Sequence, residues 1–326
     1  LDNRHNSSYR YDPNGNLKML RREALANDGN TVAAIDNLTY HYYTDPNNPE
    51  QHFPNRLERI TEPALTDPHF TGTDSSVENQ PLGNYQYDKI GNLTKDLQEG
   101  VDAIHWNTFG KVERIEFSDN RETQFTYDPA GNRLSKTAIA NNGDRETSIY
   151  LRDASGNTLS IYGKTETAGT TIIAQKEVSL YGSSRIGLQK FIDRNLTGSV
   201  SALRSRERGQ KYFELSNHLG NVLAVVSDYK AGISFSGGSV VDRYEAVVWS
   251  ANDYRPFGEA MRGRSFSSPA YRYGFNGKEK DEEGEWGGLS HYDYGFRVYN
   301  PSIARFLSVD PLAREFPWNS PYAFAE

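Results

Sequence analysis

The best candidates for chemistry lie near the C-terminal end of the sequence, where Arg305 precedes Asp310 by five positions. Two carboxyl groups held a few ångströms apart share one proton, so one can activate water or an amide while the other donates. A nearby arginine stabilises the charge that develops. Asp310 would supply one such carboxyl group. The alternative is that Asp310 and Pro311 only form a turn, as expected for Asp12 and Pro13.

A second set of oxygen-bearing side chains has the spacing of a calcium-binding loop. Asp12, Asn14, Asn16 and Glu23 occupy positions 1, 3, 5 and 12 of that frame. The frame requires glycine at its sixth position, where this chain has Leu17, and helices rather than strands on either side. The seven histidines also lack the spacing typical of metal ligands. We therefore predict no metal and no cofactor.

Composition argues against several other classes of function. The chain contains no cysteine, which removes disulfides, thiol nucleophiles and thiolate metal sites. Its 36 Lys and Arg against 43 Asp and Glu give a net charge of −7 without a basic stripe, which argues against nucleic acid as a partner. No apolar run reaches the roughly 20 residues of a membrane-spanning helix, so no membrane span is predicted.

The elements around these residues are hairpins that recur along the chain. The sequence YRYDPNGNL at 9–17 returns as YQYDKIGNL at 85–93 and as FTYDPAGNRL at 125–134. Residues two apart share one face of a strand, and Asp followed by Gly is typical of a tight turn with one left-handed residue. Weaker copies keep the turn but lose its flanks. The predicted turn-forming residues are Asp12, Gly15, Asp88, Gly91, Asp128, Gly131, Gly156, Gly220 and Gly258.

The composition favours a thin, well-solvated β structure. Only 36% of the residues are hydrophobic, yet 21 Tyr, 15 Phe and 4 Trp argue against disorder. Stretches at 44–84, 139–147 and 229–240 are predicted to be long loops or irregular hairpin tips, because several prolines would break ladder hydrogen bonds in a central strand. Segments 201–208 and 313–316 are the two candidate helices. The predicted fold class is all-β and almost entirely antiparallel.

The repeated block resembles the YD repeat of the Rhs family, which also occurs in the C subunits of Tc toxin complexes and in teneurins. The resemblance covers most of the chain. The C-terminal part is similar to the Rhs-associated core segment, with FNGKEKDE at 275–282, YDYGFRVYNP at 292–301 and ARFLSVDPL at 304–312. The sequences FNGKE at 275–279 and SPYAFA at 320–325 resemble the versions found in Bacteroidetes.

This resemblance implies a ribbon of antiparallel hairpins that spirals into a hollow β-shell around a C-terminal toxin domain. Residues 1–270 would form the YD-repeat wall and residues 271–326 the core segment, as a partial cocoon with part of its plug. Some family members cut their own chain with two aspartates, of which Asp310 matches the first, and Arg305 matches the nearby arginine. The second aspartate and the cleaved bond are expected beyond Glu326, so this fragment by itself is not expected to complete the autoproteolysis.

The resulting hypothesis is the structural shell of an Rhs-type polymorphic toxin, secreted or at the bacterial cell surface. Its expected partners are the C-terminal toxin cargo, upstream shell segments and a secretion system. Two alternatives stay open: a surface adhesin or carbohydrate-binding β protein that uses exposed Tyr and Trp, and a hydrolase on a β scaffold. The acidic run at 279–285 is expected to be a solvated loop, and its alternative is an acidic lip for a basic cargo.

Overall fold

The chain forms two compact units in the computed structural model. Unit 1 comprises Leu1–Asp119, Pro256–Glu259 and Asp281–Glu326, and unit 2 comprises Asn120–Arg255 and Ala260–Lys280. The boundary at residue 270 between wall and core segment stays a prediction. The structure describes residues 6–25, 31–44, 52–62, 77, 79–191, 196, 208–235, 237, 240–261, 264–268, 271–281 and 290–324.

The first strands of the chain lie in unit 1 and pair with their sequence neighbours. Four of them form a sheet in the order β1-β2-β3-β4, and the next four pair in the order β5-β6-β7-β8. Their bounds are β1 (Ser7–Tyr11), β2 (Leu17–Leu25), β3 (Val32–Thr44), β4 (His52–Thr61), β5 (Tyr85–Tyr87), β6 (Leu93–Asp96), β7 (Val101–Trp106) and β8 (Val112–Phe117).

Unit 2 contains ten further strands that again pair in chain order, from β9 to β18. Every one of these pairs is antiparallel. Their bounds are β9 (Glu122–Tyr127), β10 (Arg133–Ile139), β11 (Arg145–Arg152), β12 (Thr158–Thr167), β13 (Thr170–Tyr181), β14 (Arg185–Lys190), β15 (Lys211–Ser216), β16 (Val222–Ile233), β17 (Arg243–Ala251) and β18 (Phe266–Ser267).

Short strands complete the C-terminal part of the described chain. They are β19 (Glu279–Asp281), β20 (His291–Asp293), β21 (Val298–Asn300) and β22 (Arg305–Phe306), with β20-β21-β22 antiparallel. The helical elements among the described residues are two 3-10 turns, Pro256–Gly258 and Phe275–Gly277. The prediction of an all-β, antiparallel fold is therefore confirmed.

The alternative of an irregular hairpin tip describes 139–147 and 229–240, since each lies between two paired strands. The prediction of a long loop is wrong in part for 44–84, because β4 lies inside it. Pro54 falls at a register shift between the paired residues Leu57 and His52, where it interrupts no ladder pair. β16 extends into the stretch 229–240, where Ile233 pairs with Arg243. The tip at 139–147 is shorter than predicted, since β10 ends at Ile139 and β11 begins at Arg145.

The predicted helix at 313–316 is also wrong. Residues 311–315 form successive turns, in which Ala313 N–H donates to the Asp310 carbonyl and Glu315 N–H donates to the Leu312 carbonyl. Pro311 and Pro317 bracket this segment, and the residues between them are too few to propagate an α-helix. The other candidate helix, 201–208, lies outside the described residues except for its last residue.

Each unit has its own apolar core. In unit 1 the fully buried side chains come from the strands β1–β4, from the strands β5–β8 and from β21. Leu20, Ile60, Ile115 and Tyr299 are among them. In unit 2 one cluster joins the sheet to the segment that follows β18, through Leu188, Val222, Val225, Tyr271 and Tyr273. Aromatic side chains thus supply much of the buried area, which suits a chain with a low hydrophobic fraction.

Candidate functional site

The repeated turns are closed by one pattern of hydrogen bonds between an aspartate and the asparagine four residues later. In the first turn, Asp12 N–H donates to the Asn16 carbonyl at 2.9 Å and Gly15 N–H donates to the Asp12 carbonyl at 3.0 Å. Asp12 Oδ1 accepts the N–H groups of Asn14 and Asn16, and its Oδ2 accepts Asn16 Nδ2–H, all at 2.9 Å. Gly15 has φ 76°, the left-handed conformation that precedes the bulge of such hairpins.

The same pattern recurs in the other predicted turns of the hairpins. The Oδ2 to Nδ2 contact measures 3.0 Å from Asp88 to Asn92 and 2.9 Å from Asp128 to Asn132. It is also 2.9 Å in the weaker copy at 153–157. The asparagine after each turn glycine is the sequence signal for this contact, which was not predicted. The turn glycines are left-handed throughout: Gly91 (φ 100°), Gly131 (φ 82°), Gly156 (φ 86°) and Gly220 (φ 79°).

These hydrogen bonds account for the electrostatics of the turns. The amide of Asn132 holds the pKa of Asp128 below its usual value, and the amide of Asn157 does the same for Asp153. Asp12 directs both carboxylate oxygens at N–H donors, the opposite of what a calcium frame requires. Within the part of the chain that the structure describes, no three His, Asp or Glu side chains are grouped as metal ligands.

Gly258 belongs to a different kind of turn. It ends the 3-10 turn at 256–258 with φ 89°, directly after Phe257, which is itself left-handed at φ 72°. The Phe257 carbonyl accepts the Tyr299 hydroxyl at 2.8 Å, and the Phe257 ring lies edge-on to the Tyr9 ring at 5.3 Å. Gly258 therefore closes a turn that a single antiparallel bridge flanks, from Tyr254 to Ala260, and not the tip of a hairpin between two longer strands.

Aromatic rings hold the last described residues in place. Phe324 lies 4.2 Å from the Tyr299 ring, 5.6 Å from the Tyr294 ring and 5.9 Å from the Phe306 ring, measured between centroids. Tyr294 directly follows β20, Tyr299 lies in β21 and Phe306 lies in β22. Stacked and edge-to-face rings of this kind stabilise beyond the area they bury. The end of the segment 319–324 therefore packs against the residues of these short strands, one of which, β22, contains Arg305.

Asp310 lies in a small cavity and forms an ion pair with Arg297. Arg297 Nη2 is 2.6 Å from Asp310 Oδ2, with 15% of the arginine and 29% of the aspartate side chain exposed. The other carboxylate oxygen accepts Leu312 N–H at 2.8 Å. The cavity measures about 180 Å³, and Phe316 and Pro321 are among the residues that line it. Burial lowers the pKa of Arg297, while the Asp310 carboxylate opposes that shift.

Arg305 points elsewhere. Its Nη1 donates to the Tyr42 hydroxyl at 2.9 Å, its Nη2 donates to the Asn55 carbonyl at 2.6 Å, and its guanidinium lies 4.9 Å from the centre of the Tyr322 ring. It lines a second cavity of about 180 Å³. The arginine that the structure brings to Asp310 is thus Arg297. The catalytic role of Arg305 stays a prediction.

The two cavities are neighbours. Both are lined by four residues of the segment fastened to the aromatic cluster: Asn319, Ser320, Ala323 and Phe324. The sequence does not show which of the two arginines contacts Asp310, because Arg297 lies in the motif at 292–301 and Arg305 in the motif at 304–312. What distinguishes them is the direction of each side chain relative to this segment.

The acidic run is not a solvated loop at its start. Glu279 Oε1 accepts Arg272 Nη1–H at 3.0 Å and the Tyr150 hydroxyl at 2.7 Å, and Asp281 is fully buried. The expectation of a solvated loop is wrong for 279–281, because these residues form β19 instead. The remainder of the run, 282–285, lies outside the described residues.

Two curated proteins are similar to this chain in sequence. Salivary gland surface protein 1 of Aedes aegypti is 28% identical over 245 residues, which cover 73% of this chain and 6% of that protein. Toxin subunit YenC1 of Yersinia entomophaga is 24% identical over 361 residues, which cover 93% of this chain and 34% of that protein. The chain thus spans about a third or less of the curated relatives it matches. No family model matches it.

Solved toxin structures share the fold. The crystal structure of TcdB2-TccC3-TEV matches with a TM-score of 0.56 and 19% identity, over 97% of this chain and 12% of that one. The Photorhabdus luminescens Tc holotoxin pore matches with a TM-score of 0.54 and 18% identity, over 98% and 16%. Among the described residues no helix is long and apolar enough to cross a membrane. These structural matches show a shared fold.

Proposed function

We propose that this chain is part of the wall of an Rhs-type β-shell, built from YD repeats, which encloses a C-terminal toxin domain. The observation that carries the proposal is the order of the hairpins. Strands β9 to β18 pair in chain order, and the hairpin turns at 128–132 and 153–157 repeat one hydrogen-bond pattern. A sheet whose strands pair in chain order can be extended by further hairpins, so that it can form a continuous wall. The fold shared with Tc toxin structures supports the same role.

Partners and location follow from this proposal. The enclosed toxin domain is the principal partner, and upstream shell segments and a secretion system complete the assembly. The protein is secreted by a bacterium or held at its surface. The likeness to a toxin subunit over 93% of this chain supports this assignment.

The proposal includes self-cleavage next to the core segment. Asp310 is one carboxyl group of the required pair, and a second aspartate would come from sequence beyond Glu326. A shared proton would let one carboxylate activate water while the other protonates the leaving amine, so that the amide bond is hydrolysed. The ion pair between Arg297 Nη2 and Asp310 Oδ2, at 2.6 Å, supports a part for Arg297 beside Asp310. Arg305 keeps its predicted role of stabilising the negative charge that develops.

Encapsulation is tested on the longer gene product, with the sequence that follows Glu326 in place. The C-terminal domain is expected to purify with the shell and to resist a protease that digests the same domain expressed alone. Mild unfolding of the shell should abolish this resistance. Equal rates of digestion in the two contexts would contradict encapsulation.

Self-cleavage has a separate test in the same gene product. Asp310→Asn keeps the shape of the side chain and removes its charge, so the product should run as one uncut band on a denaturing gel. Asp102→Asn, at an exposed position of β7, is the matched control and should be cut like the wild type. Normal cleavage in Asp310→Asn would remove Asp310 from the mechanism.

A surface adhesin is the second candidate, and exposed aromatic side chains favour it. Phe109, Phe296 and Trp318 are exposed by 84%, 77% and 69%, and flat rings of this kind are suited to stacking on sugars. A glycan array distinguishes the two functions. Micromolar binding by the isolated chain, lost in Trp318→Ala, would favour the adhesin over the shell.

A further inference from the structure

One backbone oxygen contacts both members of the candidate catalytic ion pair. The Pro321 carbonyl accepts Asp310 N–H at 2.9 Å and also faces Arg297 Nη1 at 3.4 Å. The position of this carbonyl therefore fixes the main chain of the aspartate and the side chain of the arginine together. Any element that holds the peptide after Pro321 controls the geometry of the pair.

Tyr322, the residue after this carbonyl, is held by both its backbone and its side chain. Its carbonyl accepts Phe306 N–H at 3.0 Å, and its hydroxyl donates to the Gly91 carbonyl at 2.6 Å. Its side chain is buried, and its ring lies edge-on to the Tyr87 ring at 5.9 Å. Burial raises the pKa of Tyr322 to about 12, so its hydroxyl stays protonated and remains a donor.

The turn at 88–92 is shaped to receive this hydroxyl. A Cβ atom at Gly91 would lie 2.7 Å from the Tyr322 hydroxyl oxygen and 2.8 Å from Val309 Cγ2. Gly110 is the equivalent glycine in the turn between β7 and β8, and a Cβ atom added there would have nothing within 4 Å. The space at Gly91 is therefore specific to this contact and is not required by the turn itself.

A second hydroxyl anchors the other side of the same peptide. Ser320 Oγ donates to Asn16 Oδ1 at 2.6 Å, so two hairpin turns of unit 1, at 12–16 and at 88–92, hold the residues on either side of Pro321. Each anchor includes a hydrogen bond from a hydroxyl to a repeat turn, and the Tyr322 hydroxyl also forms a hydrogen bond with the Arg56 side chain. Tyr322 is the stronger determinant, because it combines its hydroxyl bond with a buried ring and a backbone bond.

We propose that Tyr322 is a positioning residue for the Asp310–Arg297 pair. Its side chain is bound to the hairpin turn at Gly91, and the carbonyl of the preceding residue, Pro321, contacts both members of the pair. The inference rests on the proposed self-cleavage and assigns it a control point outside the reacting groups. Tyr322 does not take part in the chemistry. It keeps the carboxylate and the guanidinium in register with each other.

The test compares Tyr322→Phe with Tyr43→Phe. Each substitution removes one hydroxyl that donates to a carbonyl of the same hairpin, since Tyr43 donates to the Tyr85 carbonyl at 2.7 Å. Hydrogen exchange at the Asp310 amide reports the bond to Pro321 directly. We expect about tenfold faster exchange there in Tyr322→Phe, the equivalent of losing one ordinary hydrogen bond, and no change in Tyr43→Phe.

The second readout is the rate of self-cleavage in the longer gene product. It should fall about tenfold in Tyr322→Phe and stay at the wild-type rate in Tyr43→Phe. If the wild type is cut and Asp310→Asn is not, wild-type exchange and cleavage in Tyr322→Phe would overturn the inference. If Asp310→Asn is cut normally, the proposed self-cleavage fails instead. Exchange at Asp310 then still decides whether Tyr322 positions this residue.

Discussion

Replacing Gly91 by alanine tests whether the repeat turns do more than reverse the chain. Gly91 has φ 100°, and an added Cβ would meet the Tyr322 hydroxyl oxygen at 2.7 Å and Val309 Cγ2 at 2.8 Å. Gly110 is the control, because it occupies the same place in the turn between β7 and β8, at φ 72°, with open space around it. Both variants carry a backbone penalty, which is at least as large at Gly91, and only the Gly91 variant carries the contact.

The magnitudes follow from these two environments. Gly110→Ala should lower the free energy of unfolding by about 1 kcal/mol, because the left-handed strain is partly offset by a less flexible unfolded chain. Gly91→Ala carries at least the same penalty, loses the Tyr322 hydrogen bond at about 1 kcal/mol, and overpacks Val309 at roughly 1–3 kcal/mol. We expect a total of about 3–5 kcal/mol.

Urea unfolding followed by circular dichroism measures both values. A double-mutant cycle with Tyr322→Phe then isolates the contact, since the phenylalanine ring leaves room for the new methyl group. The cycle should show a coupling of about 1–2 kcal/mol, with the double variant less destabilised than the sum of the single variants. Equal losses in Gly91→Ala and Gly110→Ala, or a coupling near zero, would refute the reasoning.

Two further predictions concern buried charges. Burial raises the pKa of Asp96 from 3.8 to about 7, so the native state binds its proton more tightly than the unfolded chain does. Asp96→Asn should therefore be more stable than the wild type above pH 7, by up to roughly 4 kcal/mol. This gain in the free energy of unfolding should shrink as the pH falls toward 4. Urea titrations that give a constant difference between the two proteins across this pH range would contradict the prediction. Glu177 is buried between Lys190 at 2.7 Å and Arg272 at 3.4 Å. Glu177→Gln should lower the free energy of unfolding by about 3–5 kcal/mol, because it removes the buried carboxylate that Lys190 and Arg272 share and leaves Arg272 with Glu279 as its carboxylate partner. A thermal melt that matches the wild type would show that the ion pairs of Glu177 contribute nothing.

The hairpin turns could be predicted from the sequence because their chemistry is local. Asp12, Gly15 and Asn16 lie within five positions of one another, and all the hydrogen bonds that close the turn join these residues and Asn14. The same local logic gives the all-β fold, since each turn fixes an antiparallel pair. It fails where a strand passes through a predicted loop, as β4 does, because pairing with a neighbour outweighs local propensity.

The candidate site could be predicted only in part. Asp310 is marked by its motif, and the structure places it in a cavity beside an arginine. Its partner Arg297 and its positioning residue Tyr322 could not be predicted. Their roles depend on the Pro321 carbonyl and on Gly91, a residue more than two hundred positions away in the sequence.

The amino-acid sequence by itself determined the turns, their left-handed glycines and hence an antiparallel β chain, because each of those features arises from residues a few positions apart. Only the tertiary structure decided which arginine reaches Asp310, and which turns hold the segment beside it. The physical reason is that two arginines of equal charge and similar reach are distinguished by the direction in which packing aims them. That direction is set by contacts between parts of the chain that are distant in sequence.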